Sequence, residues 1–519
     1  QCHFIIPKSK QVHAYKETMM MITGAELFVK ALKAEQVDTL FAYPGGQAID
    51  LFNALYGEQD IDVILPRHEQ GLVHAADGYA RSTGKVGVCL VTSGPGATNL
   101  VTGIATANYD SVPLVCFTGQ VPTGLIGNDA FQEVDIVGIT RSICKYAVTV
   151  RKREELAAVI RKAFLISRTG KPGVVVVDLP KDIQREYGSD DYPEEIEIRG
   201  YKPKLSVHPG QLKKALETLN HAKKPVFLVG GGVNISHAHS EMLKLAEMTG
   251  VPVVTTIMGK GAIPTTHDLY IGNLGIHGSY AANTAISHCD VLFSIGTRFN
   301  DRITGKTGHF ATHAAIIHID IDPASISRNI EVDIPIVADA KTALLALLEK
   351  AQKLDTEEWL EQIRQWKSQY PLSMKTEGLT PEKVIRAINH TFDNAIIATD
   401  VGQNQLWATQ FLELSEKKQM LTSGGLGTMG YGFPAAIGAQ IGNPSKDVIV
   451  ISGDGGMQMN IQEMATAICY ELPITICILN NGYLGNVRQW QEMFFDRRYS
   501  STCMRYRKSC PGSCNAPTE

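Results

Sequence analysis

The chain has 519 residues, a formal net charge of −4 and an apolar content of 44%, so it is long enough for about three domains with sizeable cores. This charge gives no reason to expect a nucleic acid or a membrane as partner, and no apolar run reaches the roughly 18 residues of a transmembrane helix. Ten cysteines are present, and those within apolar runs (Cys89, Cys116, Cys289, Cys469 and Cys477) are typical of buried thiols in a reduced, cytoplasmic protein.

The two ends of the chain do not share its regular pattern. An amphipathic pattern starts only after the methionine run 19–21, so residues 1–18 are expected to be a disordered or non-native extension. Near the other end, Cys503, Cys510 and Cys514 are candidate metal ligands, although they form no C-x-x-C pair. The chain stops without a closing helix or strand, and the last domain is therefore expected to be incomplete.

Short apolar runs alternate with helical patterns along most of the chain, as in "GVVVVDLP", "PVFLVGGG" and "DVIVISGDGG". Continuous apolar strands that alternate with helices predict parallel sheets covered on both faces. Two polar stretches, 181–210 and 351–384, interrupt the pattern and are interpreted as linkers. The sequence therefore predicts an α/β fold of three doubly wound parallel-sheet domains, at about 19–185, 205–345 and 380–519.

The run "DVIVISGDGG" leads to Asp454, a carboxylate that lies among Gly453, Gly455 and Gly456. The next apolar run, "LPITICILNNG", ends in two asparagines, the second of which is Asn481. Because the carboxyl ends of parallel strands meet at one sheet edge, the carboxylate and the carboxamide are expected to converge. Their oxygens suit Mg²⁺, and the glycines allow backbone N–H groups to approach a diphosphate. The alternative is a tight turn in which the aspartate caps its own backbone.

A GDG motif followed at this distance by NN resembles the metal-binding signature of the thiamine diphosphate (ThDP) enzymes. The resemblance implies that Asp454 and Asn481 bind Mg²⁺ through their side chains and that Tyr483 binds it through its main-chain carbonyl. The segment "RHEQGLVHAADGYAR", which opens a helix of small residues, resembles the acid-bearing stretch of these enzymes and assigns the catalytic acid to Glu69. The alternative for Glu69 is a surface helix N-terminus that favours an acid. In these enzymes the acid and the metal site come from different subunits, so at least a homodimer is expected.

The stretch "TSGGLGTMGYGFPAAIGAQ" is similar to the part of these enzymes that holds the cofactor in its bent form. The resemblance implies that Gly427 binds the aminopyrimidine and that Met429 lies beneath the two rings, whereas the alternative for Met429 is a core methionine. The chain order of the domains and the likeness over about residues 19–500 resemble the catalytic subunit of acetohydroxyacid synthase (acetolactate synthase). The three domains would then be pyrimidine-binding, central FAD-binding and diphosphate-binding.

The same resemblance implies a set of substrate residues, namely Gly46, Gln120, Phe131, Gln132, Lys181, Arg302 and Trp490. Lys145 and Lys181 would flank the entrance to the site. Trp490 would narrow the site and favour 2-ketobutyrate as second substrate, whereas its alternative is an ordinary aromatic anchor on a helix.

The central domain is similar to the FAD segments of the biosynthetic enzymes, which implies flavin contacts from Lys171, Gly231, His277, Arg298, Asp320 and Asp339. From the residues alone this signal is weak, because "VGGGV" lacks the full G-x-G-x-x-G pattern. Without the resemblance, Asp320 and Asp339 would be interpreted as turn acids at strand ends.

The implied cofactors are ThDP, Mg²⁺ and FAD. The implied activity is that of a transferase that condenses two pyruvates to 2-acetolactate with loss of carbon dioxide, or pyruvate and 2-ketobutyrate to 2-aceto-2-hydroxybutyrate. Expected partners are further copies of the chain, as a homodimer or tetramer, and a small regulatory subunit.

Two alternatives to this function remain. One is another ThDP-dependent 2-keto acid decarboxylase or a pyruvate oxidase, which Trp490 and the "AFQE" segment disfavour. The other is a truncated chain without activity.

Overall fold

A computed structural model describes residues 21–203 and 206–504, which form three α/β domains in chain order. The extension expected at 1–18 lies outside the described residues, as do Cys510 and Cys514. Among the described helices, none is both long and apolar enough to cross a membrane. In the same part of the chain, no three His, Cys, Asp or Glu side chains are grouped so that they could hold a metal ion.

The first domain surrounds a six-stranded parallel sheet. Its elements are β1 (Met21–Thr23), α1 (Gly24–Ala34), β2 (Thr39–Tyr43), α2 (Ile49–Leu55), β3 (Asp62–Ile64), α3 (Glu69–Thr83), β4 (Gly87–Val91), α4 (Pro95–Asn99), α5 (Val101–Tyr109), β5 (Leu114–Gln120), α6 (Ile136–Thr140), β6 (Tyr146–Thr149), α7 (Leu156–Arg168), β7 (Val174–Pro180), α8 (Lys181–Arg185) and β8 (Tyr187–Ser189). The strand order is β3-β2-β4-β5-β7-β6, and β1 pairs separately with β8. Strands β4, β5 and β7 are buried along their whole lengths, because helices cover both faces of the sheet.

The central domain has a second six-stranded parallel sheet, in the order β11-β10-β9-β12-β13-β14. Its elements are α9 (Pro209–Asn220), β9 (Pro225–Val229), α10 (Gly231–Ile235), α11 (His239–Thr249), β10 (Val253–Thr255), β11 (Tyr270–Asn273), α12 (Tyr280–His288), β12 (Val291–Ile295), α13 (Asp301–Thr304), β13 (Ala315–Asp320), β14 (Ile334–Val337), α14 (Ala340–Leu348) and α15 (Glu357–Gln369). Trp359 of α15 is buried in this core and donates its indole N–H to the Pro225 carbonyl (3.2 Å). The predicted linker at 351–384 therefore includes a helix of the central domain.

The third domain contains a four-stranded parallel sheet in the order β16-β15-β17-β18. Its elements are α16 (Pro381–Thr391), β15 (Ala395–Thr399), α17 (Gln403–Phe411), β16 (Gln419–Leu421), α18 (Gly432–Gly442), β17 (Asp447–Gly453), α19 (Asp454–Met459), α20 (Met464–Cys469), β18 (Ile474–Leu479) and α21 (Gly485–Phe494). Short 3₁₀ turns occur at Thr123–Leu125, Arg153–Glu155, Thr307–His309, Pro323–Ser325 and Ile461–Glu463.

The predicted α/β fold of three parallel-sheet domains is confirmed. Each sheet has a separate apolar cluster on each of its two faces, which is the signature of doubly wound packing. The predicted linker at 181–210 starts with regular structure, because α8 continues from β7 and β8 pairs with β1 in the register Met21 to Ser189.

Helices α3 and α18 cross at very short range and join the first domain to the third. A Cβ on Gly78 would lie 2.0 Å from the Ala435 carbonyl oxygen, and a Cβ on Gly438 would lie 1.7 Å from the Ala75 carbonyl oxygen. Since a side chain at either position would collide with backbone, the small residues of α3 are needed for packing. The crossing fixes the helix that begins at Glu69 against the third domain.

A buried charge network lies beside this crossing. The Arg81 guanidinium donates to Asp77 (2.7 Å) and Asp110 (3.0 Å), and the Tyr431 hydroxyl donates to Asp77 (2.6 Å). Burial by itself lowers the pKa of Arg81, but attraction to Asp77 and its other neighbours holds that pKa well above its usual value. The guanidinium therefore stays charged inside the interface and ties the two helices together.

The cysteines differ in part from the prediction. Cys89, Cys116 and Cys289 are buried as expected. Cys477 is only half-buried because β18 lies at the edge of the described sheet, and Cys469 is exposed at the end of α20. The prediction of a buried thiol is therefore wrong for Cys469.

His74 creates a pH-dependent weakness in the α3–α18 contact. It is fully buried beside Tyr431, and neither ring nitrogen has a hydrogen-bond partner. Burial, with a smaller effect of Arg81, lowers the pKa of His74 to about 3. In the unfolded chain this pKa is about 6.5. As the pH falls below about 6.5, the unfolded state takes up the proton first, and stability is lost until the folded pKa is reached.

Replacement of this imidazole should remove the pH dependence that it causes. Between about pH 7.5 and about pH 5, the melting temperature of the wild type should fall by roughly 4–8 °C relative to His74→Leu. Scanning calorimetry at both pH values measures the difference. His313→Leu, at an exposed histidine, is the matched control and should track the wild type. Parallel melting curves for wild type and His74→Leu would contradict the assignment.

Candidate functional site

The predicted metal edge lies where β17 and β18 end side by side. The two strands are parallel neighbours, and Gly453 is paired with Leu479. Asp454 directly follows β17 as the first residue of α19, and Asn481 follows β18 two residues after its last position. The structure therefore brings the carboxylate and the carboxamide to one edge, as the alternation of strands and helices indicated. Their binding of Mg²⁺ stays a prediction.

Asn481 is oriented by its neighbours. Its Nδ2 donates to Gln403 Oε1 (3.1 Å), and its Oδ1 accepts from the Tyr483 amide (2.9 Å). The amide group is thus fixed with its oxygen on the side of the loop that carries Tyr483. An oxygen ligand set of one carboxylate, one carboxamide and one carbonyl suits a hard cation that also binds anionic oxygens.

The glycines after β17 form a cradle with no room for side chains. A Cβ on Gly456 would lie 2.2 Å from Asp400 Oδ1, and a Cβ on Gly455 would lie 2.9 Å from Leu484 Cδ2. These glycines lie in the first turn of α19, where backbone N–H groups favour an anion. The donor set and the cradle together fit a diphosphate held through Mg²⁺.

The segment 423–432, here named the cofactor loop, carries Gly427 and Met429. Gly427 is in a left-handed conformation (φ +72°) and is exposed. Met429 is half-buried, and its Cε lies 3.6 Å from the position of a Cβ on Gly455. Met429 is thus not a core methionine, and the loop lies directly against the diphosphate cradle.

Glu69 is the first residue of α3 and is half-buried. Its Oε2 accepts a hydrogen bond from Asn99 Nδ2 (2.9 Å), and its Oε1 lies 3.4 Å from the position of a Cβ on Gly96. Both neighbours come from the glycine-rich stretch "TSGPGATN" that follows β4. The structure therefore provides an acid that is held in place but still accessible.

Glu463 supports Glu69 from the third domain and was not predicted from the sequence. Its carboxylate is buried and accepts the backbone N–H groups of Arg67 (3.1 Å) and His68 (3.0 Å), which directly precede Glu69. The Thr466 hydroxyl also donates to it (2.6 Å). Nothing in the local sequence distinguishes Glu463 from an exposed helix acid, because the backbone donors that it binds lie almost four hundred positions away.

A cavity of about 1910 Å³ lies between the three domains. All six residues predicted to contact a flavin line it: Lys171, Gly231, His277, Arg298, Asp320 and Asp339. Six residues of its wall have a buried polar atom without a hydrogen-bond partner, among them Asn234 (Oδ1), Asn273 (Nδ2) and Asn300 (Oδ1). A large cavity with unpaired polar atoms fits a polar, nucleotide-sized ligand.

The acids in this cavity have different environments. Burial raises the pKa of Asp320 to about 6, and its Oδ1 accepts from the Asp322 amide (2.8 Å). Lys171 contacts Asp322 (3.3 Å) instead of Asp320. Asp339 accepts a hydrogen bond from the Thr342 amide and caps the N-terminus of α14. It therefore has a structural role after a strand end, as its alternative interpretation stated, and it also lines the cavity.

Arg302 and Trp490 meet at the mouth of the same cavity. The guanidinium carbon lies 6.0 Å from the centre of the indole ring, at the outer limit of a cation–π contact. Burial, followed by the charge of Arg302, lowers the pKa of His277 nearby. Two residues that the resemblance assigns to substrate therefore lie together, although they come from different domains.

The remaining substrate residues lie at the carboxyl edge of the first sheet and do not line the large cavity. Lys181 Nζ donates to the Gly46 carbonyl (2.7 Å). Gln120 is buried, and its Nε2 donates to Asp178 and the Val134 carbonyl. Phe131 is 84% exposed.

Two further positions on the first domain complete this picture. Gln132 has a left-handed backbone (φ 60°) and packs against Gly94. Lys145 lies at the amino end of β7, opposite Val174, whereas Lys181 follows its carboxyl end. The prediction that both lysines flank one entrance is therefore wrong for Lys145.

Lys145 has a structural environment instead. Its Nζ donates to the Thr169 carbonyl (2.7 Å) and the Tyr201 hydroxyl (3.1 Å). Burial, and then the nearby charge of Lys171, lowers its pKa to about 8. The side chain thus anchors the segment after β8 to the first domain.

Comparison with known families identifies the class of protein. The N-terminal TPP binding domain of thiamine pyrophosphate enzymes matches residues 22–139, the central domain matches 212–347, and the C-terminal TPP binding domain matches 400–511. The fold and the site define a three-domain thiamine diphosphate enzyme, in which the two outer domains bind the cofactor.

Individual relatives narrow this class. The chain is 50% identical to the probable acetolactate synthase large subunit of Methanocaldococcus jannaschii, over 92% of this chain and 83% of that protein. It is 46% identical to the acetolactate synthase isozyme 3 large subunit of Escherichia coli K12, over 94% and 87%. It is also 46% identical to the acetolactate synthase large subunit of Corynebacterium glutamicum, over 93% and 79%. The chain belongs to the family of acetolactate synthase large subunits, which confirms the resemblance.

Removal of the Glu463 carboxylate should destabilise the start of α3. Glu463→Ala leaves the amides of Arg67 and His68 without an acceptor, each at a cost of about 1–3 kcal/mol. We expect the melting temperature to fall on the order of 5 °C or more, as measured by calorimetry. Glu492→Ala, at an exposed acid of α21, is the control. A melting temperature within about 1 °C of that control would show that the carboxylate does not hold α3.

Proposed function

We propose that this chain is a ThDP-dependent transferase that condenses two pyruvates to 2-acetolactate with loss of carbon dioxide. With 2-ketobutyrate as acceptor the product would be 2-aceto-2-hydroxybutyrate. These products start the synthesis of valine, leucine and isoleucine. The observation that carries the proposal is membership of the acetolactate synthase family over more than nine tenths of the chain. The sequence motifs that contain Glu69, Asp454 and Asn481 support it.

ThDP, when bound, supplies the chemistry of decarboxylation and carbon–carbon bond formation. The residues of this chain would bind and orient it. Glu69 would hydrogen bond the ring nitrogen of its aminopyrimidine, while Asn99 holds the carboxyl group in place. Gly427 and Met429 would contact the two rings. This assignment agrees with the position of the cofactor loop beside the glycine cradle.

Asp454, Asn481 and the Tyr483 carbonyl would hold Mg²⁺, which in turn binds the diphosphate. The protein supplies only one carboxylate, so anionic oxygens from the ligand are needed to balance the cation. The amides of Gly455 and Gly456 would approach the remaining diphosphate oxygens.

FAD is the proposed ligand of the cavity between the domains. Support comes from the six cavity-lining residues at flavin positions and from the unpaired polar atoms of Asn234, Asn273 and Asn300. Arg302 supplies a cation near the opening, where a 2-keto acid carboxylate could bind between it and Trp490.

A homodimer is the proposed minimum active unit. Glu69 does not line the cavity that contains Gly427. The third domain also exposes apolar side chains near the Glu69 helix, including Ile461 (51%) and Ile468 (72%), and Phe131 is 84% exposed. A second copy would cover these surfaces. A small regulatory subunit is a further proposed partner, because the relatives are named large subunits.

The activity is tested by product analysis. Purified protein with pyruvate, ThDP, Mg²⁺ and FAD should make 2-acetolactate, and Glu69→Gln and Asp454→Ala should each lower kcat by at least about a hundredfold. The isosteric glutamine removes only the acid, and the alanine removes a metal ligand. Acetolactate is measured beside acetaldehyde, acetyl phosphate and peroxide.

Asp447→Ala is the matched control, because Asp447 is exposed at the opposite end of the same strand. It should retain wild-type activity. Acetaldehyde as the main product would show that the chain is a decarboxylase instead. Acetyl phosphate with peroxide would show that it is an oxidase. Full activity of Glu69→Gln would show that Glu69 is not the catalytic acid.

The choice of second substrate should depend on Trp490. Trp490→Leu should lower the preference for 2-ketobutyrate over pyruvate about tenfold, because the discrimination of one methylene group by a pocket is worth about 1–3 kcal/mol. The ratio of the two products in a competition assay measures this preference. Met493→Leu, on the same helix and 63% exposed, should leave the ratio unchanged. An unchanged product ratio in Trp490→Leu would show that the indole contributes to packing only and does not select the second substrate.

A further inference from the structure

The cofactor loop at 423–432 is held by buried side chains from two domains. The Thr428 amide donates to Ser423 Oγ (3.0 Å) within the loop. The Thr428 hydroxyl contacts the Thr106 hydroxyl of the first domain (2.7 Å). On the other side, Asn460 Nδ2 donates to the Gly430 carbonyl (2.7 Å). The loop is thus fixed at several points by hydrogen bonds from the protein itself.

Asp400 makes the largest number of these contacts. It follows β15 directly and is 1% exposed. Both of its oxygens accept from the Gly430 amide (3.1 Å each), Oδ2 also accepts from the Gly432 amide (3.1 Å), and Oδ1 accepts from the Val401 amide (2.8 Å). One buried carboxylate therefore satisfies three backbone donors, two of which belong to the loop.

The same carboxylate touches the diphosphate cradle. A Cβ on Gly456 would lie 2.2 Å from Asp400 Oδ1, so the carboxylate lies directly against the backbone of this glycine. Asp400 is therefore in contact with both backbone segments that would surround the cofactor. A shift of its side chain would move the cofactor loop relative to the cradle.

Asp110 holds the other end of the loop. Its Oδ2 accepts from the Gly424 amide (3.1 Å) and from Arg81 (3.0 Å). Asp110 belongs to the first domain, so the loop start is attached to the buried network beside α3. Two carboxylates from different domains thus bind the two ends of one glycine-rich loop.

We propose that Asp400 is a positioning residue that preorganises the cofactor loop against the diphosphate cradle, so that ThDP binds without ordering the loop. This inference rests on the proposed ThDP-dependent function. Glycine amides have no side chains to fix them, and without the carboxylate the loop would sample other conformations. Asp400 does not touch the reacting atoms, and its effect would act through the residues that it holds.

Asp400→Asn tests the proposal with minimal change of shape. An amide group offers one acceptor oxygen, and its NH₂ group would face the glycine amides as a second donor. At least one loop amide then loses its partner. Thr399→Val is the matched control, because it removes a buried hydrogen bond to Thr422 (2.7 Å) one residue earlier on the same strand and leaves the glycine amides in place.

Two measurements on the full chain separate positioning from general stability. Amide hydrogen exchange in the cofactor-free protein should be at least about tenfold faster in peptides covering 423–432 for Asp400→Asn, and unchanged for Thr399→Val. Titration with ThDP and Mg²⁺, followed by calorimetry, should give a Kd at least about tenfold higher for Asp400→Asn than for the control.

Wild-type exchange in the loop together with wild-type ThDP affinity in Asp400→Asn would overturn the proposal. Faster exchange spread over all three domains would also overturn it, because the aspartate would then serve stability alone. If the wild-type chain itself bound no ThDP, the proposed function would fail. The exchange comparison, which needs no cofactor, would still decide whether Asp400 holds the loop.

Discussion

The site depends on the close crossing of α3 and α18. Helix α3 begins with Glu69, and α18 begins at the last residue of the cofactor loop, so the distance between the two helices sets how far apart one chain holds its acid and its loop. In the proposed homodimer it thereby also sets where a second copy must supply the missing partner of each. Backbone contact at Gly78 and Gly438 leaves no freedom in this distance. Arg81 also links α3 to the start of the loop, because it donates to Asp77 on its own helix and to the Thr422 carbonyl next to the loop. Loss of one partner would leave a buried charge uncompensated, at a cost of about 3–5 kcal/mol.

The sequence could predict the parts of the site that depend on strand order and period. Asp454 follows the buried strand β17, and Asn481 follows its neighbour β18 at the sheet edge. Because one crossover joins the two apolar runs, neighbouring parallel strands are the expected arrangement, and the convergence of the two residues can be inferred from this short segment alone. Asp400 is likewise an acid at the end of an apolar run, directly after "AIIAT" and two positions before a glycine, and could have been found in the same way. Such strand-end acids can be identified from the sequence because β geometry determines where they lie.

Other residues could not be predicted, because their roles come from distant partners. Glu463 acts on a helix start in another domain, and no spacing in the sequence relates it to Glu69. The prediction for Lys145 was wrong for a different reason. Lys145 precedes β6, and a residue before a parallel strand lies at the amino edge of the sheet, opposite the site. Cys469 lies in an apolar run, but burial of a helix residue depends on which neighbours cover that helix, and α20 is covered on one side only.

The buried acids Asp110, Asp400 and Glu463 share one chemical task. Each accepts backbone N–H groups of a segment that would contact the cofactor, and each lies in a different sequence context. A carboxylate suits this task because it has only acceptor atoms and can serve several donors, whereas an amide side chain would bring a donor of its own. Burial raises the pKa of Asp110 and Asp400, and their hydrogen bonds, to Arg81 and to backbone amides respectively, oppose this rise. The ordering of the loop and of the α3 start is therefore completed during folding. Binding energy then need not be spent on it when the cofactor arrives.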